Sequence, residues 1–182
     1  MTVVCLPGQS RPVAALRKHA TNCFNLPPNR LVTPRRLDLA VKYRLFAHLS
    51  GGDVPPNTLD LYFRHIKERV QHRWAQGLPM DRWKRELRHY GQGAINLHHS
   101  MRVMGYDKTR PIDIDMDGEI FGGAHRIACA IALGIKEIPV VEHTKQRVTA
   151  PAWGADWFRH HGFDDRDVES LVAELEQMKQ PA

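Results

Sequence analysis

One short stretch of the chain has the composition of a phosphate-binding loop: Gly122, Gly123, Ala124, His125 and Arg126. Paired glycines leave backbone N–H groups uncovered, and the positive end of a following helix dipole attracts an anion. Arg126 adds a guanidinium that can donate two parallel hydrogen bonds to phosphate oxygens. The alternative is a structural turn before a core helix, with Arg126 paired to a carboxylate, because short glycine motifs often match by chance. The spacing leaves both interpretations open.

The elements around this loop must hold it in place. Alternating apolar and acidic residues over 112–121 predict a short hairpin with its turn at Asp117-Gly118. After the loop, apolar residues recur at helical spacing as far as Gly134, which predicts a helix. The apolar run 138–141 predicts a buried strand. The loop is therefore expected to connect a strand to the start of a helix.

The rest of the chain is expected to divide into three parts around a core over residues 93–148. Residues 1–28, with several Pro and Gly breaks, predict a flexible N-terminal arm. Residues 29–92 predict a basic helical region. Residues 149–182 predict a helical tail packed on the core, because an amphipathic pattern with acidic residues early occupies its second half.

Within the helical region, two helices and a joint are predicted. Thr33 and Pro34 predict a helix start, as the N-cap and the first helical residue. Residues 57–76 predict a second long helix after a pair of prolines. The glycines of 90–93 predict a flexible joint before a helix that ends at Met104.

Charge is unevenly distributed along the sequence. The net charge is +12 as far as Arg110 and −6 after it, which favours a phosphorylated ligand or a polyanion near the first part, although solvated helix faces would give the same pattern. The chain has no apolar run long enough for a membrane span and no signal-peptide pattern at its N-terminus. Its three cysteines have no metal or disulfide spacing. These features predict a cytoplasmic protein without a membrane span.

Five motifs resemble the core of the ParB/sulfiredoxin superfamily and occur in that family's order. They are Leu97-x-x-Ser100-Met101-x-x-x-Gly105, Pro111-Ile112, Gly122-Gly123-Ala124-His125-Arg126, Ala130-x-x-Leu133-Gly134 and Ile138-Pro139-Val140. The resemblance implies an α/β (α+β) fold, with a small mixed sheet, helices and a preceding helical region. It also implies that the loop from Gly122 to Arg126 binds nucleotide phosphates.

Two activities of that superfamily are not expected here. Sulfiredoxin carries its reactive cysteine where this chain has Ala124, and sulfinic-acid reduction needs that thiol as the nucleophile. ParB partition proteins carry a helix-turn-helix region after this domain, and the residues that follow the core are too few for it.

A third activity, phosphoryl transfer, fits the resemblance better. The superfamily includes free-amino-acid kinases that bind a nucleotide on this loop and use a carboxylate to take the proton from a substrate hydroxyl. By this resemblance, Asp38 is the predicted base and His125 a further catalytic residue, while Arg36 and Lys42 neutralise phosphate charge. Asp115, or alternatively Glu119, is a candidate Mg²⁺ ligand. The alternatives are an exposed i,i+4 pair for Asp38 and Lys42, and the outer face of the hairpin for Asp115.

The segment 36–43, together with the glycine loop, also resembles bacterial proteins associated with capsule and lipopolysaccharide synthesis. The leading hypothesis is a kinase that uses ATP, ADP or CTP with Mg²⁺ to phosphorylate a hydroxyl of a sugar-like or amino-acid-like precursor. Replacement of Arg126 by Ala should then abolish nucleotide binding. The second hypothesis is a non-catalytic nucleotide-binding regulator or a nucleic-acid-associated ParB-like protein.

Overall fold

The computed structural model describes residues 20–75, 87–143 and 153–180. Within these ranges the chain has an α+β fold, with six helices and a three-stranded mixed sheet. The strands are β1 (Ala20–Leu26), β2 (Ile112–Ile114) and β3 (Ile138–His143). The helices are α1 (Asp38–Leu49), α2 (Thr58–Ala75), α3 (Leu87–Met104), α4 (Ala124–Ala132), α5 (Ala155–His160) and α6 (Asp165–Met178). None of them is long and apolar enough to cross a membrane.

The sheet places the glycine loop at one edge. β3 lies in the centre, antiparallel to β1 and parallel to β2, with Ile112 opposite Val140. Parallel neighbours need a crossover connection, and here the chain crosses through the glycine loop and α4. The central strand is buried, which agrees with the apolar run that predicted it.

The predicted hairpin forms, although its returning arm is short. The amide of Asp115 donates to the carbonyl of Glu119 at 3.0 Å, and the amide of Phe121 donates to the carbonyl of Asp113 at 2.9 Å. The returning segment makes only an isolated bridge with β2. The chain therefore leaves the sheet immediately before the glycines and enters α4.

The prediction of a flexible arm over residues 1–28 is wrong for residues 20–28. Residues 20–26 form β1 and pair along β3, and a single 3₁₀ turn follows at Pro28–Leu31. Pairing is favoured because the other edge of β3 would otherwise leave buried N–H and C=O groups without partners. The remainder of the predicted arm lies outside the described residues.

The first helix starts later than predicted. α1 begins at Asp38 and has Leu37 at its N-cap position, so Thr33 is not the cap. Contacts with a distant segment explain the difference: the amide of Leu37 donates to the carbonyl of Trp153 at 3.0 Å, and Arg36 forms a β-bridge with the same residue. The backbone before α1 is thus committed to tertiary hydrogen bonds.

The predicted joint at residues 90–93 is also wrong, because α3 runs through it without interruption. A Cβ on Gly91 would lie 3.1 Å from Cζ of Phe63. This glycine therefore allows the close approach of α3 to α2 rather than a change of direction. The other predicted helices agree with the structure, and α6 is capped by the Asp164 side chain, which accepts from the Arg166 amide at 2.8 Å.

α1 is the central helix of the fold and is buried on nearly every side. It packs against α2, α4 and α6, and its buried residues include Leu39 and Phe46 but also Asp38, Lys42 and Arg44. Charged side chains are almost never fully buried unless they are paired. The polar residues of α1 must therefore find partners inside the protein.

The two loop glycines should differ sharply when replaced. Gly123 has φ +82°, and a Cβ there would lie 2.5 Å from Cδ1 of Ile112, whereas a Cβ on Gly122 would have no neighbour within 4 Å. We expect Gly123→Ala to lower the free energy of unfolding by about 1–3 kcal/mol, because strain and overpacking add. Gly122→Ala is the matched control and should change it little. Equal effects in urea unfolding would contradict this account.

Candidate functional site

Three helices direct polar side chains toward one another beneath the glycine loop. Spacings of three or four residues place the contributing side chains of α1, and likewise those of α2, on one face of the helix. We call this group the polar core, and it consists of Arg36, Asp38, Lys42, Tyr62, His65, Arg69 and His125. It brings together four residues that were predicted from sequence and three that were not.

Asp38 is the centre of the polar core. Its carboxylate has no exposed surface and accepts two hydrogen bonds from the Arg36 guanidinium, at 2.8 and 3.0 Å. The ammonium of Lys42 donates to the same carboxylate at 2.6 Å. Burial alone would raise the pKa of Asp38, but the charges of Arg36 and Lys42 outweigh burial and hold this pKa well below its ordinary value. The carboxylate is therefore ionised, and both of its oxygens are occupied.

Positive charge exceeds negative charge in the polar core. Burial lowers the pKa of Lys42 to about 8, against the attraction of Asp38, and the nearby charge of Arg69 lowers it further. Glu119 contributes a second negative charge, and its effect on Arg36 is smaller than that of Asp38. The polar core thus contains three basic side chains, of which Arg36 and Lys42 bind its one buried carboxylate, an arrangement that favours an additional anion.

His125 links the polar core to the glycine loop. It is the second residue of α4, and its Nε2 lies 2.9 Å from the hydroxyl of Tyr62 on α2. Burial, and then the charges of Lys42 and Arg69, lower the pKa of His125 well below 6.5, so the ring is neutral near pH 7. A ligand bound at the start of α4 would therefore lie next to the positively charged side chains of the polar core.

The start of α4 has the features of an open anion site. Gly123 is the N-cap residue, no side chain caps the helix, and the first turn contains no acidic residue. The first backbone N–H groups of a helix have no intrahelical partner. Gly122 is exposed beside them, and Ala124, the first helical residue, has only a methyl side chain. A Cβ on Gly122 would have no neighbour within 4 Å, so the loop leaves open space on this side of the helix start, as phosphate binding requires.

Arg126 has a structural role in this arrangement. Its Nη1 donates to the carbonyl oxygens of Arg110 and Pro111, the latter at 3.3 Å, and to the hydroxyl of Tyr106 at 3.2 Å. The guanidinium thereby fastens the segment before β2 to α4, while its other terminal nitrogen lies close to Gly123. The proposed contact of Arg126 with phosphate stays a prediction.

Asp115 is held within the hairpin turn. Its Oδ1 accepts from the amide of Asp117 at 3.0 Å and from the amide of Glu119 at 2.9 Å. Among the described residues, no group of three His, Cys, Asp or Glu side chains could hold a metal ion. Asp115 thus stabilises the hairpin turn, and its role as a Mg²⁺ ligand stays a prediction.

His65 is the most unusual member of the polar core, and sequence analysis did not identify it as a site residue. The side chain has no exposed surface, and neither ring nitrogen has a hydrogen-bond partner. Burial, followed by the charge of Lys42, lowers its pKa well below 6.5. One signal was present: Tyr62, His65 and Arg69 recur at spacings of three and four residues along α2, which places polar atoms on a face that also carries core residues.

Comparison of the chain with protein-family models, with curated proteins and with solved structures finds no significant match. The resemblance to the ParB/sulfiredoxin superfamily therefore stays a prediction from the motifs.

Replacement of Asp38 should unfold the site rather than merely inactivate it. We expect Asp38→Asn to lower the free energy of unfolding by about 3–5 kcal/mol, because it leaves Arg36 and Lys42 buried without their counter-charge. The control is Glu176→Gln, which breaks an exposed ion pair with Lys179 and should cost less than about 1 kcal/mol. Similar urea midpoints for the two variants would show that the buried pairing does not stabilise the fold.

His65 should make stability depend on pH. Below pH 6.5 the unfolded chain binds a proton that the buried ring of the folded protein does not, so stability is lost as pH falls. Replacement by Phe removes this contribution. The slope of the free energy of unfolding against pH should then decrease between pH 6.5 and 5 by up to about 1.4 kcal/mol per pH unit. Urea unfolding at several pH values measures the slope. Parallel curves for wild type and His65→Phe would contradict a buried neutral ring.

Proposed function

We propose that this protein binds a nucleotide through its phosphates at the start of α4 and transfers a phosphoryl group to the hydroxyl of a small molecule. One observation carries the proposal: His125 connects the uncapped start of α4 to a core in which Lys42, Arg69 and Arg36 outnumber the carboxylate of Asp38. The start of α4 and the polar core both attract anions, and they are adjacent.

Phosphoryl transfer suits such a site because it depends mainly on positioning and electrostatic stabilisation. The amides at the start of α4 would hold the phosphates, and the excess positive charge behind them would stabilise the negative charge of the transferred group. Asp38 would hold Lys42 and Arg36 in position. ATP, ADP and CTP are the candidate nucleotides.

Mg²⁺ would accompany the nucleotide and neutralise charge on its phosphate oxygens. This ion is commonly held by phosphates with only one or two protein carboxylates, so a cluster of protein ligands is not needed. The acceptor proposed from the motif resemblance is a sugar-like or amino-acid-like precursor of a surface polysaccharide.

A non-catalytic nucleotide-binding regulator is the second candidate, and the enclosure of Asp38 favours it. A general base must come within hydrogen-bond distance of the proton that it removes. Asp38 has no exposed surface and its oxygens are bonded to Arg36 and Lys42. Consumption of ATP that depends on a small hydroxyl compound would support the phosphotransferase, whereas nucleotide binding without any turnover would support the regulator.

Gly122→Asp should abolish nucleotide binding, with Gly122→Asn as the matched control. The site of the new side chain is open, so both variants should fold, but a carboxylate beside the amides of α4 repels phosphate and competes for the same donors. In a thermal-shift panel of ATP, ADP and CTP with Mg²⁺, a hundredfold excess over the dissociation constant should stabilise wild type by about 2.7 kcal/mol. Gly122→Asn should retain most of this shift.

This pair of variants is more informative than Arg126→Ala, which would also release the carbonyls of Arg110 and Pro111. If no nucleotide stabilises wild type, or if Gly122→Asp responds as Gly122→Asn does, the phosphate site at α4 is refuted. Binding of nucleic acid instead would weaken steeply as salt rises.

A further inference from the structure

α3 has an exposed face that combines apolar and basic side chains. Its buried face carries Ala94, His98 and Met101, at spacings of four and three residues. The opposite side, which we call the α3 face, consists of Gln92, Ile95, His99, Arg102 and Val103. Ile95 and Val103 are 49% and 64% exposed and lie about two turns apart. Single exposed apolar residues are normal, whereas two that are aligned on one helix face favour a contact surface.

The charge of the α3 face restricts the partner that it fits. The 18 residues of α3 include no Asp or Glu, so Arg102 has no carboxylate on its own helix. The sequence as a whole has the same asymmetry, with a net charge of +12 as far as Arg110 and −6 after it. A complementary partner therefore offers carboxylates together with an apolar side chain.

α6 presents such a surface within the same protein. Its buried residues are all apolar. Its exposed side, which we call the α6 face, consists of Asp165, Glu169, Val172 and Glu176. These residues are four, three and four positions apart, so they form one stripe along the helix. Val172 is 37% exposed and lies between Glu169 and Glu176, which gives the α6 face an apolar centre with acidic side chains around it.

The carboxylates of the α6 face have only exposed ion pairs within the described residues. Asp165 accepts from Arg159 at 3.1 Å, and Glu176 accepts from Lys179 at 2.5 Å. Exposed pairs of this kind contribute little to stability. Both carboxylates can therefore exchange these partners for intermolecular ones at small cost.

We propose that the α3 face of one copy of this chain docks on the α6 face of a second copy. Two α3 faces would bring like charges together, and so would two α6 faces, so the mixed contact is favoured. With Ile95 opposite Val172, the imidazole of His99 lies beside Glu169 if the helices are antiparallel. It lies beside Glu176 if they are parallel, and it can donate a hydrogen bond to either carboxylate.

The contact is heterologous, because the two faces differ, and each copy can offer its other face to a further copy. An interface between two single helices is small, and small interfaces give weak, transient association. The sedimentation coefficient of the wild type should therefore rise with protein concentration. Raising the salt concentration from about 0.05 M to about 0.5 M should weaken this association, since exposed charges are screened. The proposal is independent of nucleotide binding, so no nucleotide is needed.

Two charged replacements at the centres of the faces test the contact. Ile95→Glu places an acid in the α3 face, and Val172→Lys places a base in the α6 face. Both positions are exposed, so both variants should fold. Each variant alone brings like charges together and should weaken self-association by at least about tenfold. An equal mixture of the two should associate again, because the introduced Glu then faces the introduced Lys while the two unchanged faces also pair.

Leu59→Glu is the matched control for Ile95→Glu. Leu59 is 41% exposed and lies on α2, so the same replacement is made at a similar degree of exposure on a different helix. This variant should self-associate as the wild type does. Equal weakening by Leu59→Glu and Ile95→Glu would show that the α3 face is not the contact surface.

Two further results would overturn the proposal. One is a sedimentation coefficient of the wild type that does not change with concentration, or a mixture of the two variants that stays monomeric. The other is binding of the wild type to vesicles of anionic phospholipid without self-association, weakened by Ile95→Glu and unchanged by Val172→Lys. That result would assign the α3 face to a membrane surface instead of a second copy.

Discussion

The pairing of Asp38 with Arg36 and Lys42 is the interaction on which the rest of the site depends. α1 is buried on nearly every side. These charged side chains therefore lose their hydration on folding, which carries a considerable desolvation cost. The short distances of 2.6–3.0 Å and the two-pronged contact with the guanidinium offset that cost. Two cations are thereby held in the interior, where an anion would be attracted far more strongly than at the surface.

The glycine loop and the segment that contains Trp153 both contribute to the surroundings of this centre. Gly123 turns the chain into α4 with a positive φ, and His125 then reaches Tyr62 across the helix interface. Trp153 pairs its backbone with the residues before α1 and presents its ring to Arg36 and to Arg69. The tail is thus more than a covering for apolar surface, because it forms one wall of the polar core.

Elements with strong local signals could be predicted from the sequence. The hairpin, α4, β3 and α6 depend on glycine turns, caps and hydrophobic periodicity, which act between near neighbours. The same local patterns failed where distant residues compete for the backbone. The hydrogen bond to Trp153 makes α1 start later than its local sequence predicts. Close packing against Phe63 explains why Gly91 lies inside a continuous helix. Residues 20–26 form a strand because they pair with the edge of β3.

The sequence by itself determined the residue types of the glycine loop and the four-residue spacing of Asp38 and Lys42, because both are contiguous or lie on one helix. That spacing is equally typical of an exposed surface pair. Only the tertiary structure decided that the pair is fully buried and that His65 lacks partners. It also decided that Arg126 is engaged by backbone carbonyls. Burial depends on which faces of separate helices meet, and no pattern within one helix contains that information.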